Sequence, residues 1–203
     1  YNGEIYNFGA LRDELHDTRY DGAGDTRIVH GYLKRHGVQL DLNAFDGMFA
    51  LAYYDRGEDQ VLLARDALGQ KPLYYARIQG DLWFASDAAP LRLALGYSRL
   101  NPRVLSAWFA IGATDLATGE TLFEGIRVLP PGHRLVVRRE DLAADELPDP
   151  ERWHVFAEHS SDAEQSIEAL RAAVRARLVS EVPLGAMLSG GVDSALLVSL
   201  ITT

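Results

Sequence analysis

Met48-Phe49-Ala50-Leu51-Ala52-Tyr53-Tyr54, Gln60-Val61-Leu62-Leu63-Ala64, Leu73-Tyr74-Tyr75-Ala76-Arg77 and Leu82-Trp83-Phe84-Ala85 are four short runs of aliphatic and aromatic residues, parted by Asp55-Arg56-Gly57-Glu58-Asp59, Gly69-Gln70-Lys71-Pro72 and Gln79-Gly80-Asp81. Runs of this length, bounded by glycine, proline and aspartate, predict the strands of an antiparallel meander. The chain before them reads differently. From Phe8 to Gly37 the apolar spacing is helical, with Leu11 and Leu15 on one face and Ile28, Tyr32 and Leu33 on another, and Gly37 is placed to end the second helix. Helices followed by strands predict a sheet covered by helices, an α+β layered and largely antiparallel domain, and not βαβ units.

Further along, residues 101–110 suggest another short helix. Leu129-Pro130-Pro131-Gly132-His133 is a turn into a strand over Arg134–Arg138, with Leu135 and either Val136 or Val137 facing the core. The acidic, proline-punctuated stretch Glu140 to Glu151 fits an exposed crossing between domains. The expected division is a first domain over 1–140, a linker over 141–160 and the beginning of a second domain over 161–203. Ser161-Asp162-Ala163-Glu164 reads as a capping box, and Ile167, Leu170, Val174 and Leu178 continue at helical spacing to Val179. Val182 to Leu188 reads as a short apolar strand running into Ser189-Gly190-Gly191-Val192-Asp193-Ser194, and Val192 to Ile201 as a helix. Strand, loop, helix is the order of an α/β parallel-sheet nucleotide-binding domain.

A length of 203 residues accommodates one complete core and the start of another. Hydrophobic residues at 47% and charged residues at 24% exclude a disordered chain, and no apolar run reaches the roughly 20 residues of a membrane-spanning helix. A formal charge of −9 argues against nucleic acid as a partner, and the short basic cluster from Arg134 to Arg139 is too small to reverse it. The absence of cysteine removes disulfides and cysteine-ligated zinc, and no signal peptide is visible, so a cytoplasmic location is expected. No methionine begins the chain, and motifs of active-site type stand at both edges. It reads as an internal piece of a longer enzyme, expected to be inactive alone.

The glycines of the 189–194 loop allow positive φ and close approach of a polyanion, the following helix offers unpaired N–H groups, and Ser189 and Ser194 add hydroxyl donors. No lysine follows, so this is not a Walker loop. Asn2-Gly3 reads either as a hairpin turn or as a pair of oxyanion donors. Asp25, after Gly24 and before an amphipathic run, reads as a helix N-cap with a possible second role toward a ligand. Arg65-Asp66 reads as an ion pair or loop brace at a strand end, and Lys71-Pro72 as a turn. His154 and His159 lack metal-pair spacing, so no metal site is assigned to histidine. Trp83, Phe84, Trp108 and Phe109 are expected in the core.

Ser189-Gly190-Gly191-Val192-Asp193-Ser194 resembles the pyrophosphate-binding loop of the ATP pyrophosphatases. Together with Tyr1 to Asn7, Phe45-Asp46-Gly47-Met48-Phe49-Ala50, Ala64-Arg65-Asp66 with Gly69 to Tyr75, and Leu129 to His133, it is similar to the glutamine-hydrolysing asparagine synthetases over almost the entire chain. The resemblance implies an N-terminal-nucleophile-hydrolase-like glutaminase domain, incomplete at its N-terminus, followed by an ATP pyrophosphatase domain. In that family the nucleophile is an N-terminal cysteine, which this chain lacks. Carried over by motif, Asn2 and Gly3 resemble the oxyanion hole, and Asn2, Gly3, Glu4 and Asp25 form the glutamine site, where Glu4 and Asp25 hold the α-amine. Leu188, Ser189, Gly190, Gly191, Asp193 and Ser194 resemble ATP contacts, Leu188 through its backbone and Asp193 toward the loop or the magnesium shell. The implied substrates are glutamine, ATP with Mg2+, and aspartate, and a homodimer is compatible with the resemblance. Related acceptors, a β-lactam-forming enzyme and a catalytically dead regulatory subunit are the rival readings. One departure is Asp87 after Phe84-Ala85-Ser86, where the family more often has glutamate.

Overall fold

The two helices expected between Phe8 and Gly37 are present as α1 (Phe8–Leu15) and α2 (Asp25–His36) in the computed structural model, which describes all residues except 98, 145, 158–161, 181 and 203. Leu11 and Leu15 are buried on α1, and Ile28, Val29, Tyr32 and Leu33 on α2. Gly37 ends α2 with φ +67, donating its N–H to the Leu33 carbonyl, and Lys34 and Arg35 place positive charge at the negative end of the helix dipole.

The remaining elements, in chain order, are β1 (Asn2–Ile5), β2 (Gly47–Asp55), β3 (Gln60–Arg65), β4 (Tyr74–Ile78), β5 (Asp81–Ala85), α3 (Ala88–Leu95), α4 (Pro102–Ile111), β6 (Arg127–Val128), β7 (His133–Arg138), β8 (Glu151–Arg152), α5 (Ala163–Ala176) and α6 (Val192–Thr202). Residues 1–155 and 156–203 form two compact units.

All pairings are antiparallel, but the strands do not form one meander. They divide into a sheet ordered β1-β2-β3-β7-β8 and a second ordered β5-β4-β6. The break falls after Arg65. The buried Asp66 carboxylate accepts N–H groups from Leu68, Gln70 and Lys71 at 2.9–3.1 Å, which coils the chain out of the sheet plane, and Pro72 supplies no N–H to continue a ladder. The free edge of β3 is taken by β7, with Leu63 opposite Leu135. Arg65 and Asp66 do not pair with each other. Arg65 donates Nε to Lys71 O, Nη1 to Leu129 O and Nη2 to Gly69 O, each at 2.8 Å, so each residue of the pair braces loop backbone. Lysine has no planar fork to serve three carbonyls, and Arg65→Lys is expected to cost about 2 kcal/mol in a denaturant titration.

The first sheet is buried on both faces. Ile5, Phe49, Leu51, Leu62 and Ala64 pack with α1 and α2, while Ala50, Leu63, Leu135 and Val137 pack with Leu73, Tyr75 and Leu129 from the second sheet and its flanks. Val136 faces the first cluster and Val137 the second, so both valines face a core. The far side of the second sheet, through Ala76 and Ile78, meets Leu91 of α3. Helices, sheet, sheet and helix therefore stack in four layers, which is why Leu62, Leu63 and Ala64 are all fully buried in sequence. Each of the two leucines contributes roughly 1.5–3 kcal/mol of transfer free energy.

Several expectations are corrected. Trp83, Phe84, Trp108 and Phe109 are not core residues: Trp83 and Phe84 lie on the edge strand β5, Trp108 and Phe109 on the last turns of α4, and all four are exposed. The stretch expected to cross between domains stays with the first unit as far as Val155. Leu142 and Leu147 pack on the second cluster, β8 extends the first sheet, and Trp153 stacks on Phe49 at 6.1 Å.

In residues 156–203, the cap of α5 is Asp162 with Gln165 in a reciprocal capping box, one position later than expected, and Ser161 lies outside the described residues. The helix stops at Ala176, short of Val179. Val182 to Leu188 is irregular coil and not a strand, with Val182, Leu184, Met187 and Leu188 exposed. A strand needs a neighbour for its backbone groups, and the described residues of this unit contain none.

Candidate functional site

Asn2 and Gly3 lie inside β1, opposite Ala50 and Phe49, so the hairpin-turn reading is excluded. The two strands approach closely here. A Cβ on Gly3 would stand 2.1 Å from the Met48 carbonyl oxygen, and one on Gly47 would stand 2.2 Å from the Glu4 carbonyl oxygen. Glycine at both positions is a condition of this pairing. Strand alternation sets the Asn2 and Glu4 side chains on the face opposite Ile5, which is fully buried against the helices. The Asn2 Nδ2 reaches to 3.5 Å from Ser86 Oγ at the end of β5, beside a cavity of about 200 Å³ lined by Tyr1, Asn2, Leu51, Leu73, Phe84 and Ser86 among others.

Asp25 is the first residue of α2 and not its cap, which is Gly24. Its carboxylate bridges the first turn of its own helix and β1. Oδ2 accepts the Tyr1 hydroxyl at 2.6 Å and the Ile5 N–H at 3.2 Å; Oδ1 accepts the Thr26 N–H at 2.6 Å and the Thr26 hydroxyl at 3.2 Å. Asp25 thus ties α2 to β1. Burial, then the hydrogen bond to Asp25 and the Asp25 and Glu4 charges, hold the Tyr1 phenol well above its ordinary pKa, so it is a neutral donor. The structure ties Tyr1 and Ile5 to Asp25 along the free edge of β1, while strand alternation sets the Asn2 and Glu4 side chains on the face away from the helices, where Ser86, just past the end of β5, meets Asn2, a neighbour that no sequence spacing announces. Asp87, the departure from the family pattern, caps α3 by accepting the Ala89 N–H at 2.6 Å, a role for which aspartate is well suited.

In the second unit, Gly190 takes φ +84 with open space where a Cβ would stand, and α6 begins two residues later. The Ser189 and Ser194 hydroxyls meet at 2.9 Å, Gly191 N–H donates to Ser189 Oγ at 3.4 Å, and Ser194 Oγ donates to the Gly191 carbonyl at 3.0 Å. Asp193 lies in the first turn of α6, and Leu188 precedes the loop in exposed coil. The turn is closed by its own hydroxyls, leaving helix N-terminal N–H groups for an anion. His154 Nδ1 bonds Asn43 Oδ1 at 2.8 Å, while His159 lies outside the described residues.

The glutamine amidotransferase domain family matches residues 1–147, and the chain belongs to that family. Asparagine synthase matches residues 166–203. Among curated relatives, asparagine synthetase (glutamine-hydrolyzing) 3 of Bacillus subtilis is 30% identical, covering 98% of this chain and 33% of the relative. A probable asparagine synthetase (glutamine-hydrolyzing) of Schizosaccharomyces pombe is 32% identical over 98% of this chain and 31% of its own, and amidase chry2 of Gibberella zeae is 29% identical over 99% and 30%. The chain spans about a third of the length of these relatives. A solved glutamine phosphoribosylpyrophosphate amidotransferase of B. subtilis overlays loosely, with a TM-score of 0.45 at 22% identity, over 76% of this chain and 28% of that one.

Proposed function

We propose that the protein containing this chain is an ATP-dependent amide-forming synthetase, which hydrolyses glutamine and uses the ammonia to amidate an adenylated carboxylate, that of aspartate. The observation that carries this reading is the succession, on one chain, of a glutamine amidotransferase domain match and an asparagine synthase match. In the first unit, the Asn2 amide and the Gly3 N–H would stabilise a tetrahedral oxyanion, while Glu4 and Asp25 would receive the substrate ammonium. The nucleophile is a cysteine in the family the chain resembles, and the chain itself holds none.

In the second unit, Leu188 to Ser194 would hold the phosphates of ATP and retain the leaving pyrophosphate. Magnesium would accompany ATP. A single carboxylate, Asp193, beside two hydroxyls suits a cation that takes few protein ligands together with phosphate oxygens, and the ion would offset charge on the departing pyrophosphate. A cytoplasmic location and a homodimer belong to the same reading; among the described residues no helix is long and apolar enough to cross a membrane.

The test uses the longest natural form of the protein that contains this chain, assayed for ammonia released from glutamine and for pyrophosphate released from ATP with aspartate. Glu4→Gln is expected to raise the KM for glutamine about tenfold or more and to leave synthesis from free ammonia intact. Ser189→Ala is expected to slow pyrophosphate release about tenfold and to spare ammonia release. Ammonia release without acceptor-dependent ATP cleavage would remove the synthetase half of the proposal. ATP cleavage supported only by free ammonia would remove the glutaminase half, and neither activity would favour a regulatory subunit.

A further inference from the structure

Asp25 already has a full set of partners. Its carboxylate offers about four lone-pair positions, and the Tyr1 hydroxyl, Ile5 N–H, Thr26 N–H and Thr26 hydroxyl fill them. A substrate ammonium must therefore displace one of these groups. Two of them cannot leave. Ile5 is fixed in register opposite Gly47, and the Thr26 N–H belongs to the first turn of α2. The Thr26 hydroxyl sits on Oδ1, the oxygen turned toward its own helix. The Tyr1 hydroxyl sits on Oδ2, the oxygen that also serves β1, where Asn2, Gly3 and Glu4 stand. It is carried on a long side chain, which can swing away by rotation about its own bonds.

We propose that the Tyr1 hydroxyl is a placeholder for the α-ammonium of the amino-acid substrate: it occupies Asp25 Oδ2 in the free protein and gives way when the substrate binds. It keeps the carboxylate satisfied while the site is empty, and it yields only to a ligand that brings a charged donor of its own. The exchange replaces a neutral O–H donor by an ammonium, the stronger partner for a carboxylate. A ligand of the same shape without the α-amine has nothing to put in that place and leaves Tyr1 where it is. The raised pKa of the phenol accords with this, since the group remains a proton donor at neutral pH. The inference rests on the glutamine reading given above.

The test measures binding of L-glutamine and of its deamino analogue, glutaramic acid, by calorimetry to the longest natural form containing this chain and to its Tyr1→Phe variant. Removing the competing hydroxyl is expected to tighten glutamine binding about three- to tenfold, because the free protein no longer has to vacate Asp25, and to leave the deamino analogue unchanged. An equal change for both ligands, weaker glutamine binding, or no change would overturn the placeholder role while leaving the glutamine site in place. Failure of the unaltered protein to bind glutamine would retire the parent reading, and the inference with it. Independently of any loss of fold in the variant, 3-fluorotyrosine at position 1 is expected to shift its fluorine resonance on addition of glutamine and not of glutaramic acid; an unmoved resonance with glutamine bound overturns the proposal.

Discussion

Replacing Asp66 by alanine is expected to destabilise the first unit by about 4 kcal/mol, a large share of the 5–15 kcal/mol that holds a typical domain together. The carboxylate is 1% exposed and accepts four backbone N–H groups: Phe49 at 3.1 Å, Leu68 at 3.1 Å, Gln70 at 2.9 Å and Lys71 at 3.0 Å. Each buried donor left without a partner costs about 1–3 kcal/mol, with the three loop donors, which are only partly buried, at the low end. Asp66 also receives Gly132 N–H on its own carbonyl at 2.9 Å, so the loop that leaves the first sheet and the turn that returns to it are tied at one residue. Thermal melting of the 1–155 unit should drop by about 10 °C. Asp66→Asn keeps one accepting oxygen but turns an amide toward the remaining donors, and its loss should be intermediate. A melting point unmoved by Asp66→Ala would show that water replaces the carboxylate and that the loop is not held as described.

Gly3→Ala should have the second largest effect, and it joins stability to the site. The new Cβ would meet the Met48 carbonyl oxygen at 2.1 Å and Phe49 Cα at 2.7 Å, backbone atoms that cannot rotate away. Strand β1 would have to part from β2, at a cost of about 3 kcal/mol, and Asn2, Glu4 and the Ile5 N–H held by Asp25 would move with it. Hydrogen exchange at the β1 amides should accelerate about a hundredfold, as local opening becomes easier by that amount. Gly9, within α1 and with nothing in reach of a Cβ, is the control. Gly9→Ala should be neutral or stabilising by up to about 1 kcal/mol. Equal effects at Gly3 and Gly9 would mean that the close approach of the strands is not a constraint.

The parts of the fold legible in the residues were those governed by local spacing. The apolar stripes of α1 and α2, the stop at Gly37 and the extents of β2, β3 and β7 follow from side-chain periodicity and from the positions of glycine, and each lies within a residue or two of its reading. Pairing was less legible, because the next strand in sequence is the default partner. The side chain of Asp66 overrode that default by coiling the chain after β3, and nothing in its spacing said that four amides would converge on it. The aromatic residues at 83, 84, 108 and 109 misled for a related reason: their chemistry suits a core, but an edge strand and a helix end left them exposed. The candidate site divides in the same way. Asn2, Gly3, Glu4 and the 189–194 loop announce themselves as short motifs. Ser86 and the Tyr1–Asp25 hydrogen bond do not, since the first stands 84 positions from Asn2 and the second joins residues 24 apart.

By itself the sequence determined α1, α2 and α4, the strand-forming runs, the glycine loop before α6 and the family to which these motifs point, because periodicity, backbone freedom and contiguous motifs act within a few residues. Only the tertiary structure decided that the strands divide into two sheets, that Gly3 and Gly47 must be glycine, and that the Asp25 carboxylate is already held by Tyr1. Those outcomes depend on which distant backbone and side-chain groups come within hydrogen-bond or contact distance, and that is settled only when the layers pack.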